Sequence, residues 1–273
     1  MHLKRRFILS FPIILILLTF FISCTKTTTV HESETDTVVI RQHVTLNDTF
    51  YNLTNSLAAW LPFTNGSLYD LTSWHNNVVR CTATPTSDRF GRPNNAFLFD
   101  GTNYMETWWS ETLTWRYITL MAIVKFNDFN KGDGFDNTIV LSNSFDTASN
   151  AYGIIVHPQS YAPAAKPDTS KEMFIARFGD VRVADSSTFV HTGIWYVVTL
   201  TYDGSFLKLY INGELRNSRE ATTTLAYTGL GLNMGTCFSS YRPSPFAGVI
   251  DEIRVYDKAL TVDYIRQFNK LTQ

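Results

Sequence analysis

The chain is poor in cysteine, in clustered basic residues and in histidine at any metal-binding spacing, and each shortage narrows what it can do. Three cysteines, Cys24, Cys81 and Cys237, allow no more than one intramolecular disulfide. Lysine and arginine form no patch beyond residues 4–6, so nucleic acid is not an expected partner, because phosphate contacts need a basic surface. The scattered His31, His43, His75, His157 and His191 show no ligand spacing and no nucleophile partner, and no glycine-rich phosphate loop opens a helix. Glu106, Glu111, Glu172, Glu214 and Glu220 stand singly, and adjacent Asp251 and Glu252 would point to opposite faces of a regular strand. A glycosidase needs two carboxyl groups held at a fixed separation, so hydrolysis is a remote alternative that only residues from distant strands could supply.

What is present begins with a charged start, Lys4-Arg5-Arg6, followed by an almost wholly apolar run from Phe7 to Ile22. That order is the pattern of an export signal, and a run of roughly 16 residues falls short of the ~20 that a spanning helix needs. Phe21-Ile22-Ser23-Cys24 resembles the lipobox of bacterial lipoproteins, in the looser form found in Bacteroidetes-type lipoproteins. The resemblance implies a signal peptide over residues 1–23 and acylation of Cys24 with palmitate-type chains, anchoring the protein in the cell envelope, with the outer membrane as the expected site. Without Lys4, Arg5 and Arg6 the 23 basic residues fall to 20 against 24 acidic ones, a formal charge of about −4. Once Cys24 is acylated, Cys81 and Cys237 are the remaining thiols, and an exported protein can pair them. Two unpaired small hydrophobes are the alternative.

Residues 24–54 are polar and threonine-rich, with too little apolar surface to build a core, and read as a lipidated cysteine and flexible spacer. Val38-Val39-Ile40 is the one segment there with strand character. Residues 55–273 read as one domain of strands and tight turns. Ala96–Phe99 precedes an Asp100-Gly101 turn, and Tyr117–Phe126 is apolar on both faces, as a central strand would be. Trp195–Tyr202 and Phe206–Ile211 flank Asp203-Gly204-Ser205, and Asn212-Gly213 closes a second hairpin. Ala247–Tyr256 reads as another strand. Val262–Leu271 follows as a short helix with Thr261 placed to cap it and Asp263 in its first turn.

Leu57–Phe63, Leu68-Tyr69-Asp70, Asp88–Gly91, Asn95–Gly101, Trp195–Gly204, Leu209–Gly213 and Phe246–Tyr256 occur in an order that resembles a laminin-G-like, concanavalin A-like lectin/glucanase jelly-roll domain. The resemblance implies an all-β sandwich of two antiparallel sheets with a short C-terminal helix. It also implies carbohydrate or protein binding on the concave face or rim loops, and often one structural Ca2+. It does not fix one function, because this scaffold hosts lectins, adhesive modules and glycanases.

Asp251 stands out. In a regular strand it would share a face with Val249, Ile253 and Val255, and a carboxylate in an apolar row needs a partner. Calcium is one, and the resemblance implies Asp251 with Asp70 and, more weakly, Asn65 as ligands. Backbone N–H groups, an arginine such as Arg89, or an outward position at a bulge are the alternatives. For ligand binding, the aromatic candidates are Trp74, Tyr104, Trp108, Trp109, Tyr161 and Tyr241. Adjacent Trp108 and Trp109 would face opposite ways on a strand, placing at most one in the core. The reading is therefore a non-catalytic, lipid-anchored binding domain for a glycan, with an envelope protein as the alternative partner.

Overall fold

The computed structural model describes residues 25–31, 39–45, 56–129, 136–142, 151–158, 172–225, 231–236 and 244–272. Cys24, Tyr161, Cys237 and Tyr241 lie outside them, and the chain divides into two units, residues 1–55 and 56–273. In the first, β1 (Thr25–His31) pairs antiparallel with β2 (Val39–Thr45), Thr25 opposite Thr45 and His31 opposite Val39. The segment read as a spacer is rich in β-branched threonine and valine, which suit such a strand pair. A lone two-stranded ribbon is marginal in water, so this pairing supplies little stability of its own.

The second unit carries β3 (Leu57–Leu61), β4 (Val78–Cys81), β5 (Thr84–Thr86), β6 (Ala96–Asp100), β7 (Met105–Thr107) and β8 (Ile118–Asp128). These are followed by β9 (Asn137–Ser142), β10 (Tyr152–Pro158), β11 (Glu172–Phe178), β12 (Val181–Ala184), β13 (Trp195–Tyr202) and β14 (Phe206–Ile211). The chain ends with β15 (Glu214–Glu220), β16 (Leu232–Met234), β17 (Ala247–Tyr256) and helix α1 (Val262–Leu271). One sheet runs β12-β11-β10-β9-β16-β7-β4; the other runs β15-β14-β13-β8-β17-β6-β5, with β3 joining β17. All recorded pairings are antiparallel, as expected for a jelly-roll sandwich.

Alternation along the strands builds the core. Leu120, Ala122, Val124 and Phe126 of β8 and Val198, Leu200 and Tyr202 of β13 meet Tyr152, Ile154, Val156, Phe174, Ala176 and Phe178 of the opposite sheet in one cluster. Phe126 lies edge-on to Phe246 at 4.9 Å, and Phe178 stacks on Tyr202 at 4.1 Å. Such ring pairs add to the burial of their area. Helix α1 covers part of the outer face of the larger sheet, where the ring of Tyr264 meets that of Tyr256. Thr261 stands at its N-cap without a side-chain capping bond, so the expected cap is positional only, while Asp263 does occupy the first turn.

The register of β17 corrects the expected row of alternating side chains. Opposite β8 it shifts between Ile250, which faces Val124, and Glu252, which faces Ile123, so Asp251 is the extra residue of a bulge. Ile250, Ile253 and Val255 enter the core, and Asp251 is not in their row.

Candidate functional site

β4 is the edge of the seven-stranded sheet and pairs with β7, Val78 opposite Thr107. The loop leading into β4 and the segment leaving β7 therefore emerge at the same end. Asp70 organises the first loop. Its Oδ1 accepts from the backbone N–H groups of Trp60 (2.8 Å) and Thr72 (2.9 Å), and its Oδ2 from the Thr72 hydroxyl (2.7 Å) and the Asn76 N–H (2.8 Å). Asn76, buried, then ties the loops together. Its Nδ2 donates to the Ala58 carbonyl at 2.7 Å and to Thr112 Oγ1 at 2.9 Å, in the 3-10 turn Glu111–Leu113. The β7 exit is held from the other side by Gly231, where a Cβ would stand 2.9 Å from the Thr107 carbonyl, so only glycine permits this approach.

On this frame stand Trp74, 50% exposed, Trp108, 65% exposed, and Trp109, 60% exposed. Neither Trp108 nor Trp109 enters the core, because β7 ends at Thr107 and the strand alternation stops before them. Tyr69 and Leu71 on the same loop, and Val79 on β4, are exposed as well and were not marked by the sequence. Val79 stands at a register shift of β4 between Val78 and Arg80, and Arg80 beside it is exposed too, so strand alternation in the sequence gives no signal for it. Tyr104 lies at the opposite end of β7, paired through its backbone with Thr82, and is separated from Trp108 by about 13 Å of strand. It does not join the tryptophans.

The calcium set does not gather. Asp70 is engaged by Trp60, Thr72 and Asn76; Asn65, with φ 55°, donates its N–H to Asn95 Oδ1 at 2.8 Å. Asp251 Oδ2 accepts from Arg89 Nη1 at 2.6 Å and from the Arg89 N–H at 3.1 Å. No residue binds two of these three side chains directly, and as arranged they do not fit a calcium ion: the cation beside Asp251 is a guanidinium. Among the described residues no three His, Cys, Asp or Glu side chains cluster as metal ligands.

The bulge also changes what Glu252 does. Its Oε1 accepts from the Trp60 indole N–H at 2.7 Å and from Arg254 Nε at 2.6 Å, and Arg89 Nη2 lies 4.0 Å from its Oε2. Instead of facing opposite sides, Asp251 and Glu252 both reach Arg89. Arg254 lies between the rings of Trp60 (4.6 Å) and Phe268 (4.7 Å), so this network pins α1 to the sheet. Burial pushes the Asp251 carboxyl up, and the neighbouring Arg89 only partly offsets it. Cys81 is a free thiol that contacts the Ala83 carbonyl at 3.5 Å, and burial raises its pKa.

Solved structures with the same fold include domain 4 of AbnA, a GH43 extracellular arabinanase from Geobacillus stearothermophilus, in complex with arabinotriose. It is 18% identical with a TM-score of 0.58, and the match covers 80% of this chain and 98% of that one. The ligand-binding domain of botulinum neurotoxin serotype D, in complex with N-acetylneuraminic acid, is 15% identical with a TM-score of 0.56, over 82% of this chain and 52% of that one. The binding domain of Paraclostridial Mosquitocidal Protein 1 is 16% identical with a TM-score of 0.58, over 80% and 52%. This chain thus spans about half the length of the toxin binding domains it matches. Among curated protein sequences none matches. Residues 100–266, more than half of the chain, match the Concanavalin A-like lectin/glucanases superfamily, the laminin-G-like family to which this chain belongs.

Proposed function

We propose that the protein is an envelope lipoprotein, anchored through Cys24, whose jelly-roll domain captures a glycan chain on the tryptophan rim without cleaving it. The observation that carries this reading is the exposure of Trp74, Trp108 and Trp109 on two loops locked together by Asn76 and Thr112. Large rings held in water by a rigid frame are poor core residues and good stacking platforms for the apolar face of a sugar. The arabinotriose and N-acetylneuraminic acid bound by two proteins of the same fold support a saccharide as the ligand class. The adjacent carboxylates Asp251 and Glu252 are both bound to arginines.

The test is binding of the full mature chain to a glycan array that includes arabinan fragments and sialylated glycans, with and without a chelator. Binding that survives the chelator and falls at least tenfold in the Trp108→Ala/Trp109→Ala variant is the expected result. A protein partner is the second reading, favoured by the exposed Tyr69, Leu71 and Val79 on the same loop and strand. Silence on every glycan, with an envelope protein retained through the same tryptophans, would replace the first reading by the second.

A further inference from the structure

The three tryptophans of the rim stand on two short pieces of chain, and each piece is fastened on both sides of its rings. Around Trp74, the Thr72 hydroxyl donates to Asp70 Oδ2 at 2.7 Å and accepts the Trp74 N–H at 3.3 Å, and the Asn76 N–H donates to the same Asp70 oxygen at 2.8 Å. One carboxylate oxygen therefore closes the loop that carries Trp74. Thr107 and Ser110 bracket the other two rings. Thr107 Oγ1 accepts the Leu232 N–H at 2.9 Å and donates to the Trp108 carbonyl at 3.2 Å, while Ser110 Oγ accepts the Thr112 N–H at 3.2 Å.

A side-chain bridge joins the two pieces. Asn76 Nδ2 donates to Thr112 Oγ1 at 2.9 Å, and the Thr112 hydroxyl lies 2.6 Å from that of Ser110. Trp74 is two residues from Asn76, at most about 7 Å of chain, and Trp109 is the neighbour of Ser110. Asn76 is buried, so water competes little for the bridge. The two platforms cannot drift apart without breaking it.

Openness is the second observation. A site that selects the free end of a saccharide has to enclose that end, and enclosing sites bury roughly 70–90% of a small ligand. Trp74, Trp108 and Trp109 are each between half and two-thirds exposed. Rings this open meet a sugar by its face and leave its ends in water. Two such faces on one rigid frame suit two rings of the same chain. Once one is seated, the next meets its platform as a linked group at high effective concentration, and no loop has to be ordered.

We propose, on the reading that the rim binds a glycan, that its ligand is an internal stretch of a polysaccharide lying side-on across both platforms, with Asn76 and Thr112 as the positioning residues that set their spacing. The full mature chain is titrated calorimetrically with oligosaccharides of one to six residues from arabinan, xylan, galactan, cellulose and chitin, each also with its reducing end converted to the alditol. In at least one series affinity is expected to rise by about 10²-fold from the shortest binding member to the longest. Conversion of the end of the longest member should leave its affinity unchanged. Trp74→Ala and Trp108→Ala/Trp109→Ala, at exposed positions outside the core, should each remove most of the rise. Thr112→Val keeps the side-chain shape and deletes the hydroxyl, so it should remove the rise while sparing the shortest member, and Thr112→Ser should retain it. A merely destabilising change would weaken short and long ligands alike, and the tryptophan variants decide the question where Thr112→Val fails to fold. Binding that ignores chain length, that is lost with the alditol, or whose length dependence survives removal of either platform or of the Thr112 hydroxyl would overturn the proposal and leave the glycan reading standing. Binding confined to terminal sugars of branched array glycans would do the same. Silence on every series and on the array would overturn both.

Discussion

Arg89 joins three parts of the molecule through one side chain: the bulge at Asp251, the carbonyl of Thr272 beyond α1, and the exposed ring of Phe90. Removing it strands a buried carboxylate, which typically costs about 3–5 kcal/mol. Arg89→Met is therefore expected to lower urea stability by that order, and Arg89→Met/Asp251→Leu to recover much of the loss. The pH dependence has a fixed sign. Burial raises the folded-state pKa of Asp251, so its neutral form is favoured in the fold, and stability from this group is lost as pH rises from 3.8 through the raised value. Without Arg89 that loss deepens, and the variant's deficit should shrink in acid and be largest at neutral pH. Asn269 makes the opposite case. Deleting an unsatisfied buried oxygen while keeping the side-chain volume removes a desolvation penalty, so Asn269→Leu should melt at the wild-type temperature or above it, with a gain of about 1 kcal/mol. A clear loss of stability in that variant would show that Oδ1 has a structural partner.

At the level of elements, the tight turns are built by aspartates, and their titration sets the acid limit of the fold. Asp88 accepts N–H bonds from Phe90 and Arg92 and a 2.6 Å bond from the Arg92 guanidinium. Asp203 accepts from Ser205, Phe206 and Lys208. Partial burial alone would raise both pKa values, but these donors outweigh it and both are lowered below 3.8. A lowered folded pKa gives stability that is present above 3.8 and lost as pH falls through the folded value, so the share these two aspartates contribute to the thermal melt should decline only below 3.8. Asp203→Ala should flatten part of the acid decline and cost about 1 kcal/mol at neutral pH. The same local chemistry explains which elements could be read from the sequence. β13, β14, β17 and α1 follow from periodicity bounded by Asp-Gly, Asn-Gly and a capping position, all of which act over a few residues. β9 and β11 are buried on both faces and show no alternation to mark them. The bulge at Asp251 is set by pairing with β8, far away in sequence, so the acid reads as part of a row it does not enter. Trp74 and Trp108 could be marked as aromatic candidates, but their exposure depends on where β7 stops. Asn269 meets Gly213 only when the helix folds back onto the turn.

For the whole molecule, the meaning of Cys24 depends on what the domain does at each encounter. On the proposed reading a rim of three tryptophans makes individually weak contacts, and weak sites become effective when many copies face one polymer. Two or three acyl chains hold a protein at a membrane where one chain gives marginal, reversible binding. Lipidation at Cys24 would convert modest affinity into retention by placing the domains in a two-dimensional array. Cys24→Ser should abolish palmitate labelling and move the chain from the membrane to the soluble fraction. The released chain should bind an isolated oligosaccharide with the same dissociation constant as the anchored one, because no described residue of the jelly-roll changes. Retention on an immobilised polysaccharide should differ, falling by about 10²-fold or more when the chains are no longer displayed together on one vesicle. Equal retention by the soluble variant and by vesicles carrying the lipidated protein would mean that a single domain holds its ligand tightly, and that the anchor sets location alone.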